Sequence, residues 1–132
     1  MAGLDITDSE ETFLRSCIAV VQKHISDIDF DLAAFANEVH TSKSSLYKRL
    51  KAASGVTTTT FIRTIRMKTA AEILDKDPGI RISELAYKVG YNDPKYFSSC
   101  FKQDYGMLPS EYVKHLTDAS VSGKSDDGKQ SE

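Results

Sequence analysis

Apolar residues recur along most of this chain at three- and four-residue steps, the spacing of one face of an α-helix. From about Ser9 to His24 they are Phe13, Cys17, Val20 and Val21, with Ile25 just beyond. Asp8 or Ser9 can cap that helix, and Glu10 and Glu11 suit its positive end. Asp31 then suits the cap of a short helix from Leu32 to about Val39, whose inward face is Leu32, Phe35, Ala36 and Val39. After a turn at His40 and Thr41, Ser42 caps a helix from Lys43 to about Ala53, with Leu46 and Leu50 inward and Gly55 as its stop. A longer helix runs from about Thr58 to Asp75 and ends at Asp77-Pro78-Gly79. A second short helix follows from Ile82 to about Val89, then a turn at Gly90. Asp93 caps the next helix, with Pro94 at its first position; it buries Phe97 and Phe101 and stops at Gly106. Pro109 opens a last helix to about Leu116. The β-prone run "VTTTTFI" has no partner strand, and Phe61 to Ile65 already follow helical spacing.

The expected fold is therefore all-α, with about seven helices. Residues 1–9 are expected as a flexible lead-in and 117–132, polar and rich in glycine and serine, as a disordered tail.

The pattern repeats. Leu32, Phe35, Ala36 and Val39 match Ile82, Leu85, Ala86 and Val89 at an offset of fifty. Leu46, Leu50, Gly55 and Phe61 match Phe97, Phe101, Gly106 and Tyr112 at an offset of fifty-one, so the second turn is one residue longer. Each copy predicts a short helix, a tight turn, a second helix, a glycine stop and the start of a third helix. The small Ala36 or Ala86 lets the second helix cross closely. The turn needs a residue that accepts positive φ; Gly90 does so freely, and histidine, at His40, is one of the side chains that tolerate it. This is the helix-turn-helix unit, whose second helix fits a DNA major groove. The organisation follows: a first unit at 10–57, a linker helix at 58–76 and a second unit at 77–116.

Charge sharpens this picture. The 132 residues carry a net charge of −2, which alone argues against nucleic acid. Residues 1–40 sum to −6, residues 41–115 to +6 and residues 116–132 to −2, so the basic charge is segregated into the repeated region. The two cysteines, Cys17 and Cys100, are far apart without metal-like neighbours and are expected as buried thiols. The longest apolar stretch of the first helix is too short to span a membrane, and no export signal opens the chain, so a cytoplasmic location without membrane contact is expected.

The stretch "ISELAYKVGYNDPKYFSSCFKQDYGMLPSEY", Ile82 to Tyr112, closely resembles the signature of the AraC/XylS family of bacterial transcription regulators. It has the Ala-x-x-x-Gly turn, Tyr96-Phe97, Phe101-Lys102, Gly106 and Pro109-Ser110-Glu111-Tyr112. "FIRTIRMKTAAEIL" looks like the family's linker helix, and "NDPKYFSSCFKQDYG" is similar to output domains of hybrid two-component sensors of gut Bacteroidetes. The resemblance implies two helix-turn-helix subdomains joined by one long helix, binding adjacent major grooves of double-stranded DNA. Eighteen helical residues span about 27 Å, against about 34 Å between successive grooves on one face. It further implies an activator that contacts RNA polymerase, with dimerisation supplied by an upstream region, and no cofactor or metal.

The outward positions of the first recognition helix are Lys43, Ser44, Tyr47 and Lys48; those of the second are Lys95, Tyr96, Ser98 and Ser99. These are the expected base-reading residues. Lys48 can donate to guanine, and Tyr47 can touch a thymine methyl or hydrogen-bond a base edge. Phosphate contacts are expected from Ser42, Ser45, Arg49, Lys51, Arg63, Arg66 and Lys102, although Arg49 and Arg66 can instead pair with acids inside the domain. An all-helical protein-interaction module without DNA binding is the alternative. An enzyme is disfavoured: His24, His40 and His115 lack metal spacing, and there is no glycine-rich phosphate loop.

Overall fold

In the computed structural model the backbone is described for residues 2–125 and the side chains for residues 9–117. Among the described residues there are seven helices and no strand: α1 (Ala2–Lys23), α2 (Leu32–Glu38), α3 (Lys43–Ser54), α4 (Thr58–Lys76), α5 (Ile82–Lys88), α6 (Pro94–Tyr105) and α7 (Pro109–Ser125). None is long and apolar enough to cross a membrane. The chain divides into two compact units, Met1–Arg66 and Met67–Glu132.

Both ends differ from expectation. The lead-in expected at residues 1–9 is helical from Ala2, and α7 continues past Leu116 to Ser125. A helix that is already nucleated adds residues at little cost, and neither stretch contains a proline to stop it. Met1 and the tail positions 126–132 lie outside the described residues. The helix expected as a linker at 58–76 is present as α4, and the division between units falls inside it. Phe61, Ile62 and Ile65 pack with the first core, while Met67, Ala70, Ala71 and Leu74 are buried residues of the second unit.

The first unit closes around Phe13, Cys17 and Val21 of α1, Phe30, Phe35 and Ala36, Leu46 and Leu50 of α3, and Phe61 of α4. The end of α1 is tied to α2 by Lys23 Nζ, 3.4 Å from Glu38 Oε1, and in the loop between them the His24 ring stacks on Phe30 at 4.6 Å. Lys23 chiefly holds the Glu38 carboxyl below its ordinary pKa. In the second unit Phe97 and Phe101 lie in a chain of ring contacts that runs from Tyr91 to Tyr105 and Tyr112. Tyr112 donates its hydroxyl to Asp75 Oδ1 at 2.9 Å, tying α7 to α4. Burial, and then that carboxylate, push the phenol up to about 12. Cys17 and Cys100 are both buried free thiols, and burial pushes Cys17 up to about 11.

The two helix pairs close with the same backbone bonds. Thr41 N–H donates to Ala36 O at 3.0 Å and Tyr91 N–H to Ala86 O at 2.8 Å. His40 N–H bonds Asn37 O and Gly90 N–H bonds Tyr87 O, both at 3.1 Å. His40 has φ 59 and Gly90 has φ 88, so both turns pass through the left-handed region that ends a helix in this way. Ala36 and Ala86 are buried beneath them.

Two outcomes follow for stability in urea. Gly90→Ala lowers it by about 1–2 kcal/mol, the cost of a side chain in left-handed backbone, whereas His40→Gly raises it by about 0.5–1 kcal/mol by relieving that same cost. The raised phenol makes the folded state hold its proton more tightly than the unfolded chain. Its contribution is complete below the ordinary tyrosine value, near 10, and is lost as pH rises through about 12. Tyr112→Phe removes about 1 kcal/mol at pH 8 and flattens the loss between pH 10 and 12, as a pH series of urea midpoints would record.

Candidate nucleic-acid interface

The two recognition helices are held by side-chain caps at their starts. Ser42 Oγ accepts from Ser45 N–H at 3.1 Å at the head of α3. At the head of α6, Asp93 Oδ1 accepts from Lys95 N–H at 3.0 Å, with Pro94 in the first turn. Gly55 and Gly106 close the opposite ends in left-handed backbone. Ser42 and Ser45, expected at phosphates, are therefore also the two halves of a cap.

On α3, Leu46 and Leu50 are fully buried, so the helix turns a fixed face outward. Ser44, Tyr47, Lys48 and Lys51 are all exposed, and their spacing places them on one stripe. Lys43 is exposed at the head of the helix. On α6 the equivalent positions, at the offset of fifty-one, are Lys95, Ser98, Ser99 and Lys102. Lys95, Ser99 and Lys102 are exposed; Ser98 is half-buried. Tyr96 is 60% exposed but corresponds to Ser45, off the stripe, and its ring lies 5.8 Å from that of Tyr91.

Two arginines expected at phosphates make contacts inside the first unit. The Arg49 guanidinium carbon sits 4.1 Å from the centre of the Phe13 ring, so Arg49 lies on the flank of α3 that meets α1. Its counterpart in the second unit is the buried Cys100, whereas Arg49 itself is exposed. Arg66 is only 7% exposed and donates to the backbone oxygen of Asp27 at 3.1 Å. There it satisfies a carbonyl in the loop after α1, and burial removes it from reach of a phosphate. Arg63 is half-buried on α4.

Two cations were missed in the sequence. Arg81 and Lys88 are exposed at the two ends of α5, and the matching positions of α2 are Asp31 and Glu38. Asp31 caps α2 through Ala34 N–H at 2.9 Å, while Arg81 makes no side-chain cap. The offset of fifty carried this signal as a charge reversal between copies. Among the described residues, no cluster of His, Cys, Asp and Glu could hold a metal ion.

Capped, outward-facing helices with polar stripes at matching positions define a DNA-binding module of the helix-turn-helix class. Residues 35–115 match the family model described as a helix-turn-helix domain. The chain belongs to that family, in its AraC-type branch of DNA-binding transcription regulators. It is 35% identical over 115 residues to Histidine kinase P4 of Formosa agariphila, covering 87% of this chain but 8% of the kinase. It is 31% identical over 112 residues to the transcriptional activator RhaR of Salmonella arizonae, covering 85% of this chain and 39% of RhaR. The C-terminal domain of AraT, a response regulator from Geobacillus stearothermophilus, superposes with a TM-score of 0.70 at 33% identity, covering 76% of this chain and 82% of that one. The chain thus spans well under half the length of the kinase and of RhaR.

The placement of Arg49 separates a packing role from a DNA role. Arg49→Ala lowers stability by about 0.5–1 kcal/mol, the worth of an exposed cation over a ring, and leaves the salt dependence of DNA affinity unchanged. Lys51→Ala does the reverse: stability holds, and the slope of log affinity against log salt becomes shallower by about one. Thermal melts and a salt titration on each variant check both.

Proposed function

We propose that this chain is the sequence-reading output module of a bacterial transcription activator, inserting α3 and α6 into successive major grooves of one duplex. The observation that carries it is the repeated stripe, Ser44, Tyr47, Lys48 and Lys51 against Lys95, Ser98, Ser99 and Lys102, on two helices with the same caps and the same turns. Lys48, Tyr47, Ser44, Lys95 and Ser99 are the base-reading residues in this reading, with Lys43, Tyr96 and Ser98 at its edges. Lys51, Lys102 and Arg63 take phosphates, joined by Arg81 and Lys88 where the first helix of the second unit crosses the backbone.

The similarity to Histidine kinase P4 and to the AraT response regulator supports attachment to a two-component system of hybrid type. In that setting the module acts in the cytoplasm, dimerises through a region outside this chain, and recruits RNA polymerase once bound. It works without catalysis or cofactor: its output is the free energy of binding, directed to one site.

Three measurements test the reading. Affinity for a duplex selected by the chain from a random-sequence pool falls steeply with salt, because each phosphate contact releases counterions. Footprinting shows two protected segments about one helical turn apart. Lys48→Ala costs about 1–3 kcal/mol on the selected duplex and much less on unrelated duplexes. Equal loss on every sequence would reassign Lys48 to a phosphate, and salt-independent binding would refute the reading.

A further inference from the structure

The two stripes are built alike but furnished differently. Tyr47 is 42% exposed in the middle of the first stripe, and among the described residues its ring has no aromatic, hydrogen-bond or ionic partner. Lys48 stands next to it, with Ser44 and Lys51 one turn away on either side. At the equivalent places the second stripe has Ser98, half-buried, and Ser99. The aromatic residue near the second stripe, Tyr96, is placed against Tyr91 instead.

This difference has a chemical meaning in a major groove. The apolar feature on base edges there is the 5-methyl group of thymine, while guanine presents two acceptors, N7 and O6. A serine hydroxyl both donates and accepts, so it discriminates weakly between bases. A phenol ring held out on a capped helix has one apolar surface to offer, and beside it a lysine offers donors alone. From these positions we infer that Tyr47 is a thymine-specific reader, packing its ring on a thymine 5-methyl group next to a guanine taken by Lys48. The first unit thereby carries most of the sequence discrimination. Ser98 and Ser99 of the second stripe contribute affinity that depends less on sequence. This inference rests on the DNA-reading function proposed above and names the base feature that function recognises.

The test uses the 132-residue chain and the duplex it selects from a random-sequence pool. Each thymine in turn is replaced by deoxyuridine, which keeps every hydrogen-bonding group and removes the methyl alone. At one thymine in the segment protected by α3, the replacement weakens binding about fourfold, the weight of one buried methyl group. That penalty persists in Tyr47→Phe, which keeps the ring, and disappears in Tyr47→Ala. Tyr47 is exposed, so neither variant disturbs the core, and melting temperatures unchanged from the parent verify this. A penalty of the same size in Tyr47→Ala, or no uridine-sensitive thymine in that segment while selective, salt-dependent binding persists, overturns the inference and leaves the DNA-reading function standing. Failure to select any duplex overturns both.

Discussion

The bond from Ala36 O to Thr41 N–H, repeated from Ala86 O to Tyr91 N–H, is the constraint on which each reading unit depends. It closes only if the residue before the donor takes left-handed backbone, as His40 and Gly90 do. That closure sets the direction in which the recognition helix leaves the first helix of the pair. The buried alanine under it allows close crossing, and Leu46 and Leu50, or Phe97 and Phe101, then fix the rotation of the recognition helix about its own axis. Once direction and rotation are set, the outward stripe is set as well. A change of one residue in the rotation would turn Tyr47 and Lys51, or Ser98 and Lys102, toward the core and expose a core side chain. The polar face is thus a consequence of the packing on the opposite side.

Within that shared frame the copies have diverged where packing leaves freedom. The first turn holds a histidine where the second holds glycine, and the second turn is one residue longer. The first helix of the pair carries Asp31 and Glu38 in one unit and Arg81 and Lys88 in the other. Glu38 is engaged with Lys23 and lies near His24 at the end of α1, so the acidic version serves intramolecular contacts. The basic version is exposed at both ends of α5, which packs against α6. Divergence of this kind means that the two copies present different surfaces.

The arginines show how a formally basic region is spent in different ways. Arg49 covers the Phe13 ring and links the recognition helix to α1. Arg66 is sunk into the first unit and bonds the Asp27 backbone. A guanidinium can stack on a ring and still hydrogen-bond at its edge, which lysine cannot, so arginine suits both the exposed place over the Phe13 ring and the buried place beside Asp27, while lysines populate the open stripe. The net charge of +6 over residues 41–115 therefore includes two guanidinium groups that also make contacts inside the first unit.

Much of this was legible in the chain itself. Helix periodicity, the caps Asp31, Ser42 and Asp93, the stops Gly55 and Gly106, and the fifty-residue repeat are local signals, determined by backbone sterics and by contacts within a few residues. Local signals also determined which faces turn inward, and so the candidate stripes. What only the tertiary structure decided is where long, charged side chains end up. Arg49 meets a ring thirty-six positions away and Arg66 a carbonyl thirty-nine positions away. No pattern along a helix records which neighbour will lie beside a flank. The division of α4 between two cores was hidden for the same reason. Periodicity shows that a helix has an apolar face, but the partner that covers each turn of it is set by the folding of the rest of the chain.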